Sequence, residues 1–66
     1  MNITLNGQPL QVDKVSTIGE LIAHLGYTDK RIAVEQNGEI VPKSTHGTAS
    51  LAEGDQLEIV VAVGGG

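Results

Sequence analysis

The residues most open to chemistry are the last three, Gly64, Gly65 and Gly66. They carry no side chain, so what they present is bare backbone ending in a carboxylate. Three extended residues reach roughly 10 Å. Glycine has no Cβ and tolerates nearly any backbone angle, so such a tail can enter a slot closed to other residues. The plain alternative is a frayed terminus, since chain ends are commonly loose. The other chemistry-bearing residues give less. His24 and His46 have no cysteine or second histidine at metal-ligand spacing, and both are expected to be ordinary surface residues. The eight carboxylates are spread along the chain, with no pair set up for acid–base work. Glu20 has a capping role and the others read as solvated surface. No serine or threonine has a histidine partner suggested by spacing. Gly7, Gly38 and Gly54 sit in turns and make no phosphate-binding loop. No active site is visible, and no metal site or bound cofactor is expected.

The elements that must position the tail begin with the stretch before it. Leu57 to Val63 reads as a strand rich in β-branched residues. Leu57, Ile59, Val61 and Val63 fall on one face at period two, and Glu58, Val60 and Ala62 on the other. Val60 and Ala62 therefore point away from the expected core beside the glycines. An apolar solvent face next to a reactive terminus is a candidate partner-binding surface. The simpler account is that β-branched residues favour strands.

Upstream, Ile3 and Leu5 alternate with Asn2 and Thr4, and Asn6-Gly7 is a strong two-residue hairpin signal. Leu10 and Val12 continue on the return strand, which Pro9 assigns to a sheet edge. Thr17-Ile18-Gly19-Glu20 fits a capping box. Ile18, Leu21, Ile22 and Leu25 form one helical stripe, and Gly26 suits the residue that stops it. Ile32 and Val34 mark a third strand, Asn37-Gly38 a second hairpin, and Pro42 ends a short edge strand. Lys43 to Ser50 has no assignable regular structure, with Leu51 anchoring it to the core. Strands are expected near 2–6, 8–12, 31–36, 39–41 and 56–63, with a helix near 18–25. Edge prolines on the second and fourth strands leave the first and last strands central. One helix across one face of such a mixed sheet is the α+β arrangement called β-grasp, as in ubiquitin. The division is a β-grasp domain over 1–63 and a flexible glycine tail over 64–66.

Sixty-six residues make one small domain. At this size only about 60% of the unfolded surface is buried, so stability is thin. Tyr27 is the one aromatic residue and there is no cysteine, so the core is aliphatic and no thiol is available. The net charge of −4, with four basic residues scattered along the chain, argues against nucleic acid and weakly favours a partner with a basic patch. No apolar run reaches the length of a membrane span, and the N-terminus has no signal-peptide pattern. A cytoplasmic monomer is the expectation.

The whole chain resembles the ThiS family of thiamine-biosynthesis sulfur carriers. The resemblance rests on Ile3-Thr4-Leu5-Asn6-Gly7, on Thr17-Ile18-Gly19-Glu20-Leu21-Ile22 and on Ala33 through Ser44. It continues through Glu53-Gly54-Asp55-Gln56-Leu57-Glu58-Ile59-Val60 and the terminal glycines. The stretch through Ile40-Val41-Pro42 is its most specific part. The resemblance implies that Gly66 is the working residue of a co-substrate that is not itself an enzyme. An E1-like adenylyltransferase would use MgATP to convert the Gly66 carboxylate to an acyl-adenylate. A persulfide-bearing sulfur-donor protein would then leave a thiocarboxylate, and thiazole synthase would take the sulfur. A molybdopterin-synthase small subunit, a carrier for another sulfur pathway, a lysine-linked ubiquitin-like modifier and a plain interaction domain remain as alternatives.

Overall fold

The computed structural model describes residues 1–62. Val63, expected at the end of the last strand, and the tail 64–66 lie outside the described residues. The elements are β1 (Asn2–Leu5), β2 (Gln8–Gln11), α1 (Ile18–His24), β3 (Ile32–Gln36), β4 (Glu39–Val41) and β5 (Gln56–Val61). They form one five-stranded sheet in the order β2-β1-β5-β3-β4. β1 and β5 run parallel, and the other neighbours are antiparallel. This is the expected β-grasp topology, with β2, which bears Pro9, and β4, which Pro42 follows, at the edges and β5 in the middle.

Both hairpins follow from their Asn-Gly pairs. Asn6 and Gly7 have φ of 50° and 81°, and Asn37 and Gly38 have 52° and 87°. Positive φ at both central residues is what a type I′ turn requires, and its twist matches that of the flanking strands. The first turn also explains why β1 stops at Leu5 and not at Asn6. With its backbone already in the turn, Asn6 turns its amide on β5 instead. Nδ2 donates to the Ile59 carbonyl at 3.1 Å and Oδ1 accepts from the Ile59 N–H at 2.8 Å. One side chain thus replaces the backbone partner that β1 no longer supplies.

The helix is short and heavily capped. The Thr17 hydroxyl accepts from the Glu20 N–H at 3.1 Å, and Glu20 Oε1 accepts from the Thr17 N–H at 3.1 Å, the reciprocal capping box. Glu20 does more than the sequence suggests, because the same oxygen accepts the Ser16 N–H and hydroxyl, each at 2.8 Å. The Ser16 N–H is the main cause of a Glu20 pKa below the ordinary carboxylate value. The helix closes one residue early, on Leu25, through bonds from Gly26 N–H to Ala23 O and from Tyr27 N–H to Ile22 O. That pair is a Schellman motif around Gly26.

Seven helical residues would not hold in water alone. Ile18 and Leu21 are fully buried and pack with Ile3, Val34, Leu57 and Ile59 on the covered face of the sheet. Burying each such side chain contributes about 1.5–3 kcal/mol. The stretch 43–50, left unassigned from sequence, holds a 3₁₀ turn, Lys43–Thr45, and a bridge between Ser50 and Thr17. Leu51 anchors it in the core as expected.

Candidate functional site

The candidate site is the end of β5 and the surfaces beside it. β5 is held on both sides. Thr4 and Leu5 of β1 pair with Gln56 and Leu57. Five residues of β3 pair along its other edge, from Gln36 opposite Leu57 to Ile32 opposite Val61. The Ala62 N–H donates to the Arg31 carbonyl at 2.8 Å, so ladder contact extends one residue past the strand. The described chain therefore ends at Ala62 in the middle of the sheet, beside the start of β3. Gly64, Gly65 and Gly66 lie outside the described residues.

Val60 and Ala62 stand where the period-two pattern puts them. Val60 is 65% exposed and Ala62 is exposed too, both on the face away from the helix. Ala33 is opposite Val60 in the register. In the next row Glu58, Glu35 and Ile40 lie side by side across β5, β3 and β4. Ile40 is 67% exposed. The sequence reading assigned it no face, although its alternation with half-buried Val41 carried the signal. Two directly opposed carboxylates destabilise a strand pair slightly, by up to about 1 kcal/mol. That adjacency depends on cross-strand register and is invisible in one strand.

Two residues taken as surface groups are otherwise. Asp55 is only 9% exposed. Its Oδ2 accepts from Gln36 Nε2 at 2.8 Å and from the Ala52 N–H at 2.9 Å, and its Oδ1 accepts from Asn37 Nδ2 at 3.0 Å. Burial pushes its pKa up, but the Asn37, Ala52 and Gln36 hydrogen bonds outweigh that and hold it below the ordinary value. Asp55 thereby fixes the entry to β5 against the β3–β4 turn. His46 is half-buried, with Nε2 3.0 Å from the Val41 carbonyl oxygen. A carbonyl only accepts, so Nε2 carries the proton. The His46 carbonyl in turn accepts the Gly19 N–H at 2.7 Å. His24 is exposed, as expected.

The basic residues are not scattered in space. Lys30, Arg31 and Lys43 meet at the end of the sheet from which the tail leaves. Ile32 pairs with Val61 there, and a shallow concavity beside it is lined by Lys30, Ile32, Lys43 and His46 among others. Among the described residues no group of three or more His, Asp or Glu side chains could hold a metal ion, and no helix is long and apolar enough to cross a membrane. Nothing in this arrangement forms a catalytic constellation. What it does is hold one strand firmly and present its end.

Comparison with known proteins bears on the family of the chain. The family model described as "ThiS family" matches residues 3–66. The chain is 39% identical over 66 residues to the thiazole synthase of Paramagnetospirillum magneticum, covering 100% of this chain and 20% of that protein. It thus spans about a fifth of the length of the first curated relatives it matches. It is 37% identical over 65 residues to the sulfur carrier protein ThiS of Bacillus subtilis, covering 97% of this chain and 98% of that one. The crystal structure of the thiamine biosynthesis protein ThiS from Geobacter metallireducens superposes with a TM-score of 0.83 at 33% identity, over 100% of both chains.

Proposed function

The chain belongs to the ThiS family, and we propose on that footing that it is a sulfur carrier for thiamine biosynthesis whose working group is the Gly66 carboxylate. The observation that carries the reading is the near end-to-end match to the Bacillus sulfur carrier, on a fold that holds its last strand centrally. A carboxylate is a poor acyl donor. Attack of one Gly66 oxygen on the α-phosphate of MgATP, with pyrophosphate leaving, converts it to an acyl-adenylate. MgATP is a substrate of the E1-like partner, and no residue of this chain is assigned to hold it. The terminal sulfur of a persulfide on another protein then attacks the acyl carbon and AMP leaves. A second thiol of the donor system takes the donor's inner sulfur into a disulfide, breaking the S–S bond and freeing the thiocarboxylate. The chain has no cysteine, so the sulfur it carries resides at the terminus. Thiazole synthase is the proposed acceptor. The relatives of that name, in which a unit like this chain makes up a fifth of the protein, support the pairing of carrier and acceptor. The chain acts throughout as a co-substrate.

Its own residues contribute reach and presentation. Four residues beyond Ala62 extend at most about 14 Å. Gly65→Val places a branched side chain where a channel must close on backbone. Deleting Gly66 shortens the reach by about 3.5 Å. Displacements of roughly 1 Å cost about a hundredfold where positioning governs the rate. The test is pyrophosphate release with the E1-like enzyme, followed by intact mass after addition of a sulfur donor. The parent gains the mass difference between sulfur and oxygen. Both variants lose most of that gain and keep the parental melting temperature. Sulfuration of either variant at the parental rate would remove Gly66 from the role given to it. An amide-linked lysine conjugate in place of the thioacid would instead favour a protein modifier.

A further inference from the structure

The concavity at the foot of the tail has a definite chemical character. Ile22 and Ile32 supply its apolar part and Tyr27 an aromatic edge, while Lys30, Lys43 and His46 contribute nitrogen groups. Ile22 is buried and Ile32 half-buried, whereas both lysines are exposed. Arg31, adjacent to Lys30, is exposed as well. Three of the chain's four basic residues thus sit at one end, with Asp29 the one carboxylate in the same turn, although the whole chain carries −4. The remaining seven carboxylates, and Lys14, lie elsewhere. The end of the sheet where β5 stops thus carries a local cluster of positive charge in a chain of net charge −4.

The space open to a water-sized group measures about 60 Å³. Small-ligand sites span about 300–1,000 Å³ and enclose most of their ligand. A hollow well below that range has room for the end of one inserted side chain and none for a nucleotide. Position limits what can insert it. Ala62 is bonded to Arg31, so an enzyme that takes in the chain from Val63 onward comes against Lys30, Arg31 and Lys43. Charges brought within the Debye length of about 8 Å at physiological salt are felt. A net-acidic carrier that led with any other surface would meet an acidic rim with repulsion.

We infer that this hollow seats an aspartate or glutamate side chain from the rim of the activating enzyme's tail channel, so that Lys30 and Lys43 orient the carrier tail-first. The inference rests on the carrier reading, and its test separates the two. Lys30→Glu, Lys43→Glu and Lys14→Glu each change the net charge equally, but only the first two touch the hollow. Affinity for the E1-like enzyme is measured by calorimetry at about 50 mM and about 300 mM salt, alongside pyrophosphate release and thermal unfolding. At low salt Lys30→Glu and Lys43→Glu raise Kd roughly 5–10-fold, as expected for rim charges turned repulsive, and the difference shrinks at high salt. Their kcat stays parental, because the tail is unchanged. Lys14→Glu stays within about twofold of the parent. Equal effects of all three would reduce the cluster to net charge and overturn the inference. So would pyrophosphate binding to the carrier alone, lost in Lys43→Glu, if partner affinity were unaffected, since the hollow would then be a small-anion site. If the parent itself gives no pyrophosphate release or mass gain, the carrier reading fails. If the parent is active and the three variants behave alike, only the hollow fails.

Discussion

Asp55→Ala tests what holds the delivering strand in place. The carboxylate gathers three donors, Gln36 Nε2, Asn37 Nδ2 and the Ala52 N–H, at 2.8–3.0 Å. Two of those donors belong to the end of β3 and its turn. Gln36 Nε2 also reaches the Ser50 carbonyl at 2.9 Å, and Asn37 Oδ1 accepts the Gln56 N–H at 2.9 Å. Removing Asp55 therefore loosens the joint at which β5 enters the sheet. A hydrogen bond to a charged group contributes about 1.5–3 kcal/mol. Asn37 and Ala52 are exposed and water replaces part of what they lose, so the sum is scaled down to roughly 3 kcal/mol. A chain of this length holds only about 3–10 kcal/mol in total. At about 4–8 °C per kcal/mol, Tm falls by roughly 12–24 °C. The pH dependence supplies a second check. The folded pKa lies below the ordinary 3.8, so the group stabilises the fold above that value and stops doing so as pH falls through the folded pKa. The stability gap between parent and Asp55→Ala is therefore flat above about pH 5 and narrows below the ordinary value. Glu20 titrates over similar acid pH in both proteins and cancels in the difference. Urea unfolding from pH 2 to pH 8 reads both quantities. A loss under about 0.5 kcal/mol at neutral pH, or a gap that does not narrow in acid, refutes this account of the joint.

Two further substitutions address the outer face and the strand contact. Val60→Asp and Ala62→Asp place a charge on the exposed face of β5, where stability should stay within about 0.5 kcal/mol of the parent. Burial of that charge against an apolar partner surface weakens affinity for the E1-like enzyme by about tenfold or more. Calorimetry showing parental affinity for both folded variants removes this face from the interface. Asn6→Ala loses both bonds to Ile59 and puts an alanine at φ 50°, for a cost of about 2–3 kcal/mol in urea unfolding. Asn6→Gly keeps the turn, so its cost is smaller. Equal losses would mean that the backbone angle plays no part.

The features legible in the sequence were those that one short window determines. Asn6-Gly7 and Asn37-Gly38 declare their turns through the φ they need. Thr17 and Glu20 declare a cap by their spacing, and Ile18, Leu21, Ile22 and Leu25 a helical face. Pro9 and Pro42 marked the edge strands, and that placed β1 and β5 side by side. What stayed hidden depends on segments far apart in the chain. Asp55 reads as a turn carboxylate until residues 36–37 and 52 converge on it. His46 reads as a loop residue until the turn after Pro42 brings its ring under Val41. Lys30, Arg31 and Lys43 look scattered because the β3–β4 hairpin separates them in sequence while returning them to one end in space.

The position of β5 links these observations to the proposed carrier role. A strand at the edge of a sheet is held from one side and offers its free edge to any other strand. β5 has β1 on one side and β3 on the other, and Asn6 extends the β1 side by one side chain. Gln56 to Ile59 is held from both sides, and from Val60 to Ala62 the β3 side holds it through the Val60 and Val61 pairs and the Arg31 carbonyl, so the start of β3 defines the point at which the described chain ends. The outward residues Val60 and Ala62 ride on that same fixed strand, and Arg31 is tied to it through the Ala62 N–H. A partner that grips the outer face and the basic end thereby knows where the tail begins. The remaining distance to the reacting atom is then set by the number of residues beyond Ala62. That is why a one-residue deletion is expected to be felt so sharply.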